Sequence, residues 1–147
     1  VFWEGGIMGT RCITVVEDEN GEELCRIFRG FDGYPSVHGD EIVAFLARGR
    51  VKDRINMTDD KSFLGMGDVA SSLVTYLKGY RKDYTDPSSD KTWRPPSSIG
   101  NKIQLMPVGT KDVGEEFIYT VVYQGDNQFA KVDVVSISDG KRVTLLS

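Results

Sequence analysis

Arg11-Cys-Ile-Thr-Val-Val-Glu17 and Glu23-Leu-Cys-Arg-Ile-Phe-Arg29, with Asn20-Gly21 between them, decide how this chain folds. Both runs are rich in β-branched and apolar residues, and Asn-Gly tolerates the two positive φ angles of a type I′ turn. They read as the arms of a β-hairpin. Centring the turn on Asn20 and Gly21 predicts the pairs Val16 with Cys25, Thr14 with Ile27, Ile13 with Phe28 and Cys12 with Arg29. Both faces of the hairpin are then partly apolar. In this register Cys12 and Cys25 stand four residues apart along the ladder, about 13 Å at the usual strand rise and beyond disulfide reach. Free thiols are expected, in keeping with a reducing compartment.

The hairpin runs straight into the segment that concentrates the chain's chemistry, from Arg26 to Gly39. Two arginines, a Gly-flanked Asp32, a Tyr34-Pro35 pair and the sole histidine follow one another within 14 residues. Gly30, Gly33 and Pro35 turn the chain, and Ser36 is a candidate cap for a helix whose apolar positions are Ile42, Val43, Phe45, Leu46 and Ala47 and which Gly49 ends. His38 then lies in the first turn. There the helix's unpaired N–H groups favour an anion, although Asp40 and Glu41 already complement the dipole without one. Arg11 and Arg29, near neighbours across the open end of the hairpin, are expected beside Asp32 and His38. Two readings stand side by side: a ligand site built from Arg11, Arg29, Asp32, Tyr34, Ser36 and His38, or a strand-to-helix turn in which the same polar groups satisfy local backbone.

Beyond Gly49 the chain is polar and irregular to Lys61. Val69, Leu73, Tyr76, Leu77 and Tyr80 then recur at helical spacing, with Asp68 as the expected cap. Residues 83–98 have loop composition, and Trp93 beside Arg94 is a candidate stacking or anchoring residue. Lys102–Met106, Glu116–Tyr123, Phe129–Ser136 and Arg142–Leu146 read as strands punctuated by Gly and Asp turns. The expected fold is α+β: an antiparallel sheet of about six strands, made of the N-terminal hairpin and a C-terminal meander, with the two helices on one face. Such a sheet leaves edges, and self-association into a homo-oligomer is one way to cover them.

Composition narrows the function classes. At 147 residues, 39% hydrophobic and 27% charged, the chain suits one globular domain. A net charge of −4 provides no basic field for nucleic acid or an anionic membrane, so neither is implied as a partner. No apolar run is long enough to span a bilayer, which makes a cytoplasmic location the expectation. The chain has no phosphate-binding Walker loop, dinucleotide glycine fingerprint, Cys/His metal spacing or Gly-x-Ser-x-Gly elbow, and no cofactor or metal is implied.

The N-terminus reads in two parts. Codons available to Trp3-Glu4-Gly5 spell a purine-rich, ribosome-binding pattern just ahead of Met8. Met8 is thus the expected natural start, with residues 1–7 an upstream-translated leader and 8–147 the domain. Met8-Gly-Thr-Arg11, the hairpin, Phe31-Asp-Gly-Tyr-Pro-Ser36 and His38-Gly39 resemble a family of small uncharacterised proteins encoded in bacteriophages and prophages. Val37 departs from the small residue usual there. The resemblance implies a viral accessory protein in the bacterial host cytoplasm, a setting that favours counter-defence. The leading expectation is capture of a phosphorylated small molecule or nucleotide, with Arg11 and Arg29 on phosphate, the helix start at His38 as anion site and Tyr34 or Trp93 as stacking platform. The alternatives are an inhibitor or adaptor docking on a host protein, and a phosphoester hydrolase using Arg11, Arg29 and His38.

Overall fold

The computed structural model describes residues 9–53, 61–79 and 102–146. Trp93 and Tyr80, like the proposed leader, lie outside the described residues. Strands β1 (Cys12–Glu17) and β2 (Glu23–Arg29) form the hairpin, a π-type turn (Pro35–Gly39) leads into helix α1 (Asp40–Leu46), and short strands β3 (Arg50–Lys52) and β4 (Ser62–Leu64) precede helix α2 (Gly65–Leu77). Strands β5 (Ile103–Met106), β6 (Phe117–Val122), β7 (Lys131–Ser136) and β8 (Arg142–Leu146) complete the chain.

The hairpin has the predicted register, Cys12 opposite Arg29 and Val16 opposite Cys25, but reaches it by a different turn. Asp18 N–H donates to Glu22 O and Gly21 N–H to Asp18 O, which makes a three-residue loop with Gly21 alone at positive φ (81°). The Asp18 carboxylate accepts from Asn20 N–H and Glu22 N–H. A bulge at Val16/Glu17 absorbs the extra residue, so the pairing beyond it is the one a two-residue turn would set.

The sheet is mixed rather than purely antiparallel. Its order is β5-β2-β1-β6-β7-β8, and β1 pairs parallel with β6 at the centre. Strand β5, expected in the C-terminal meander, instead pairs antiparallel with β2, so only β6-β7-β8 is a meander. The physical reason is the long apolar centre. Val15 and Ile13 on β1, like Tyr119 and Val121 on β6, are buried, and side-by-side placement removes both strands from water at once. Parallel pairing then requires a crossover, supplied by residues 107–116 between β5 and β6. Arg26 Nη1 donates to Thr110 O at 2.6 Å, while Glu23 accepts from Gly109 N–H. These bonds tie the crossover to the face that bears Arg26, Ile13 and Val15.

Strand alternation sends Cys12, Val16, Ile27, Tyr119, Val121, Val132 and Val134 to the opposite face. They join Ile42, Phe45 and Leu46 of α1 and Met66, Val69, Leu73, Tyr76 and Leu77 of α2 in one core. Both helices thus cover one face, as expected. Strands β3 and β4 form a short parallel pair, β3 at the start of the stretch read as irregular and β4 just beyond its end. Helix α2 starts at Gly65, ahead of the expected Asp68 cap. Asp68 reaches back to Leu64 N–H, and Glu19 from the hairpin loop accepts from Met66 N–H at 2.7 Å.

Candidate functional site

Six residues of the Arg11 to His38 segment were singled out for binding, and the fold separates them into three environments. Arg29 and His38 are interior. Pairing with Cys12 puts Arg29 on the helix-covered face, where it is 4% exposed, and the π-type turn carries His38 inward until nothing of it is exposed. Arg29 Nε donates to Phe31 O at 2.6 Å, and Nη1 serves both His38 Nδ1, at 3.1 Å, and the carboxylate of Glu41. His38 Nε2 stands 2.7 Å from Thr14 Oγ1. Arginine only donates, so Nδ1 is the acceptor; hydrogen bonding thereby assigns the ring proton to Nε2, which donates to Thr14. The ring edge packs on Tyr119, 4.7 Å between centroids, and Tyr119 OH donates to Gly33 O at 2.7 Å.

Burial sets the chemistry of this cluster. Desolvation, with the Arg29 charge adding to it, lowers the His38 pKa to about 3, so the imidazole is neutral. Cys12 is pushed up to about 12, chiefly by burial; Arg29 opposes the shift and Glu41 adds to it. A protonated thiol and a neutral imidazole with both nitrogens engaged provide neither nucleophile nor proton shuttle. Glu41, on the first turn of α1, is the carboxylate that pairs with Arg29, where Asp32 was the one expected beside it.

Arg11 lies elsewhere. One residue before Cys12, it projects to the crossover face, where a Cβ added at Gly114 would come within 2.5 Å of its Nη1. The two arginines, expected as near neighbours at one site, therefore project to opposite faces, as successive strand positions do.

Phe31, Asp32, Tyr34 and Ser36 form the third environment, an exposed turn. Phe31 is 40% and Tyr34 37% exposed. Asp32 has a φ of 61°, a left-handed conformation that Asp tolerates better than most side chains, and its carboxylate lies a weak 3.5 Å from Tyr34 OH. Ser36 caps nothing: no side-chain hydrogen bond closes the helix start, and Tyr34 O takes the N–H groups of both Val37 and His38 at 3.0 Å. Those amides, expected to face an anion, are therefore committed to the turn. Gly33 fixes the turn on the sheet. Its N–H donates to Thr10 O, and a Cβ there would meet Cys12 Cβ at 2.8 Å.

Sequence reasoning missed Thr14, Glu41 and Tyr119 as partners of this cluster. A visible signal existed for Thr14, a polar residue at an inward strand position between Ile13 and Val15. Among the described residues no group of three or more His, Cys, Asp or Glu is placed to hold a metal, and no helix is long and apolar enough to cross a membrane. Comparison with protein-family models, curated proteins and solved structures finds no match to this chain, leaving the geometry to carry the functional reading.

Proposed function

We propose that this chain is a binding protein that docks on a partner protein through the Phe31–Ser36 turn. One observation carries the reading: the segment's cation and imidazole are used inside the fold, and what it presents outward is aromatic and acidic. Arg29 is neutralised by Glu41 and His38 is sealed, whereas Phe31, Tyr34, Asp32 and Asp40 reach solvent. A phosphate would meet carboxylates there with no exposed cation from this segment. The complementary surface is an apolar pocket bordered by Lys or Arg, which takes two aromatic anchors and pairs with Asp32. In the viral setting that the resemblance implies, such a partner is a host protein and the docked chain an inhibitor or adaptor.

Pre-organisation supports this reading. The turn is held from beneath by Arg29 on Phe31 O, Tyr119 OH on Gly33 O and Thr10 O on Gly33 N–H, so little ordering entropy remains to be lost on binding. The test places a photo-reactive phenylalanine analogue at position 34 and, as a control, at the exposed Leu24. Position 34 is expected to capture one protein, the control none, and Asp32→Lys to abolish capture. With the partner purified, Phe31→Ala and Tyr34→Ala are expected to weaken binding by about 30-fold or more, the scale of anchor residues. Unchanged affinity in both variants would refute docking by this turn.

A further inference from the structure

A second feature lies at the edge of the sheet, on β5. This strand, Ile103-Gln-Leu-Met106, contains no charged residue, and its Leu105 is 60% exposed. Its inner side is taken by β2. Gly30 N–H donates to Lys102 O at 3.2 Å, and along an antiparallel ladder the residues whose backbone groups face the neighbouring strand alternate. Lys102, Gln104 and Met106 therefore turn theirs to β2, whereas Ile103 and Leu105 turn theirs away. No strand among the described residues pairs with that outer row.

The opposite edge of the sheet is guarded. Lys141 and Arg142 stand at the start of β8, and the pairing of Asp133 with Thr144 and of Val132 with Leu146 leaves Leu145 as an extra residue, a bulge. Charges and bulges are the usual means by which edge strands avoid further pairing. Strand β5 has neither, its ladder with β2 running unbroken from Ile103 to Met106.

We infer that β5 is a dimer edge, paired antiparallel with β5 of a second copy of this chain about a twofold axis at Gln104. In that register Ile103 of each copy stands opposite Leu105 of the other, so the outward N–H and C=O groups of both copies all find partners. Exposed Leu105 then meets an apolar residue on the helix-covered face, Lys102 stands opposite Met106, and no like charges are opposed. Moving the axis to Leu105 sets Ile103 opposite Pro107, which has no N–H, and leaves Ile103 O without a donor. Four residues from each copy make a small interface, of the weak and reversible class. The Phe31–Ser36 turn stays outside it. That turn follows β2, and β2 of the two copies runs in opposite directions, so the turns lie at opposite ends of the joined sheet.

Sedimentation equilibrium of the full chain tests the inference. The mass is expected to rise with concentration from that of one chain to that of two, with a dissociation constant of about 100 µM or tighter. Leu105→Lys puts a charge on an exposed edge position and is expected to weaken the dimer at least about tenfold without unfolding the monomer. Cysteine substitutions read the register. Gln104→Cys sets two Cβ atoms about 5 Å apart across the axis, and oxidised glutathione is expected to link them as a disulfide-bonded dimer. The two copies of Leu105→Cys lie on a diagonal about 7–8 Å apart and are expected to stay unlinked, which also controls for Cys12 and Cys25. A wild-type chain that remains monomeric at about 1 mM would overturn the inference and leave the edge to a strand of another protein. So would a dimer that Leu105→Lys does not weaken, or linkage of Leu105→Cys in preference to Gln104→Cys.

Discussion

His38 Nε2 and Thr14 Oγ1, 2.7 Å apart and both wholly buried, join the first turn after the hairpin to the middle of the central strand. With Arg29 on the other ring nitrogen, the contact holds the imidazole neutral and in a single tautomer. The histidine acts here as a two-ended hydrogen-bonding strut. Its consequences are measurable in stability before any partner is known.

Stability is expected to fall as the solution is acidified below the ordinary histidine range. In the unfolded chain His38 takes a proton near pH 6.5, whereas in the folded chain burial lowers the pKa to about 3. Between those values the unfolded state binds the extra proton. The His38 contribution is thus fully present above about pH 6.5 and is lost towards pH 3, with a slope of at most about 1.4 kcal/mol per pH unit. Urea midpoints for wild type and His38→Gln between pH 7 and pH 4.5 check this: the variant should show the shallower dependence on pH. Parallel slopes would mean that His38 is protonated in the fold.

Arg29 and Tyr34 should separate cleanly. Arg29→Ala removes a buried guanidinium from the half-buried Glu41 carboxylate and leaves His38 Nδ1 without its donor in the interior, and is expected to cost about 1–3 kcal/mol. Tyr34→Ala removes an exposed ring and should stay within about 1 kcal/mol of wild type. Melting temperatures of the two variants make the comparison. A stable Arg29→Ala protein would remove the brace.

The two thiols should differ in reach but not in state. Burial raises the pKa of both, with the nearby Glu23 charge adding to it at Cys25, so neither is a thiolate at neutral pH. Iodoacetamide at pH 7.5 should label half-buried Cys25 slowly, and Cys12 only when the protein unfolds. Mass spectrometry of timed samples gives the order, and rapid native labelling of Cys12 would contradict its burial.

Gly33 tests the seating of the turn. An added Cβ would fall 2.9 Å from both Cys12 Sγ and Thr10 O. Gly33→Ala is accordingly expected to destabilise by about 1–3 kcal/mol, an overpacking cost, whereas Gly67→Ala in open space on α2 should be neutral or stabilising by about 1 kcal/mol. Denaturation curves of both variants measure the difference.

Local patterns in the sequence carried most of the elements. The hairpin register follows from alternating residues flanking an Asn-Gly turn, and helix α2 from Val69, Leu73, Tyr76 and Leu77 at helical spacing. Pairing between distant strands has no such local signature. That β6 lies parallel to β1, and that β5 returns to β2, depends on a crossover whose anchors, Arg26 on Thr110 and Glu23 on Gly109, are 84 and 86 residues apart. Within the segment from Arg26 to Gly39, which side chains turn inward was not legible. Alternation already separates Arg11 from Arg29; the inward course of His38 depends on the π-type turn at Pro35–Gly39, where a helix capped by Ser36 was expected. Thr14 and Glu41 then complete in space a cluster that is spread over 28 residues of chain.

One spectrum tests the division of the segment into a buried brace and an exposed face. His38 is the only histidine, so a long-range ¹H–¹⁵N correlation of the imidazole followed from pH 8 to pH 4 contains one ring. The expected result is a neutral ring with its proton on Nε2 and no titration over that range. A ring that titrates with a midpoint near 6.5, or one that carries its proton on Nδ1, would contradict the account.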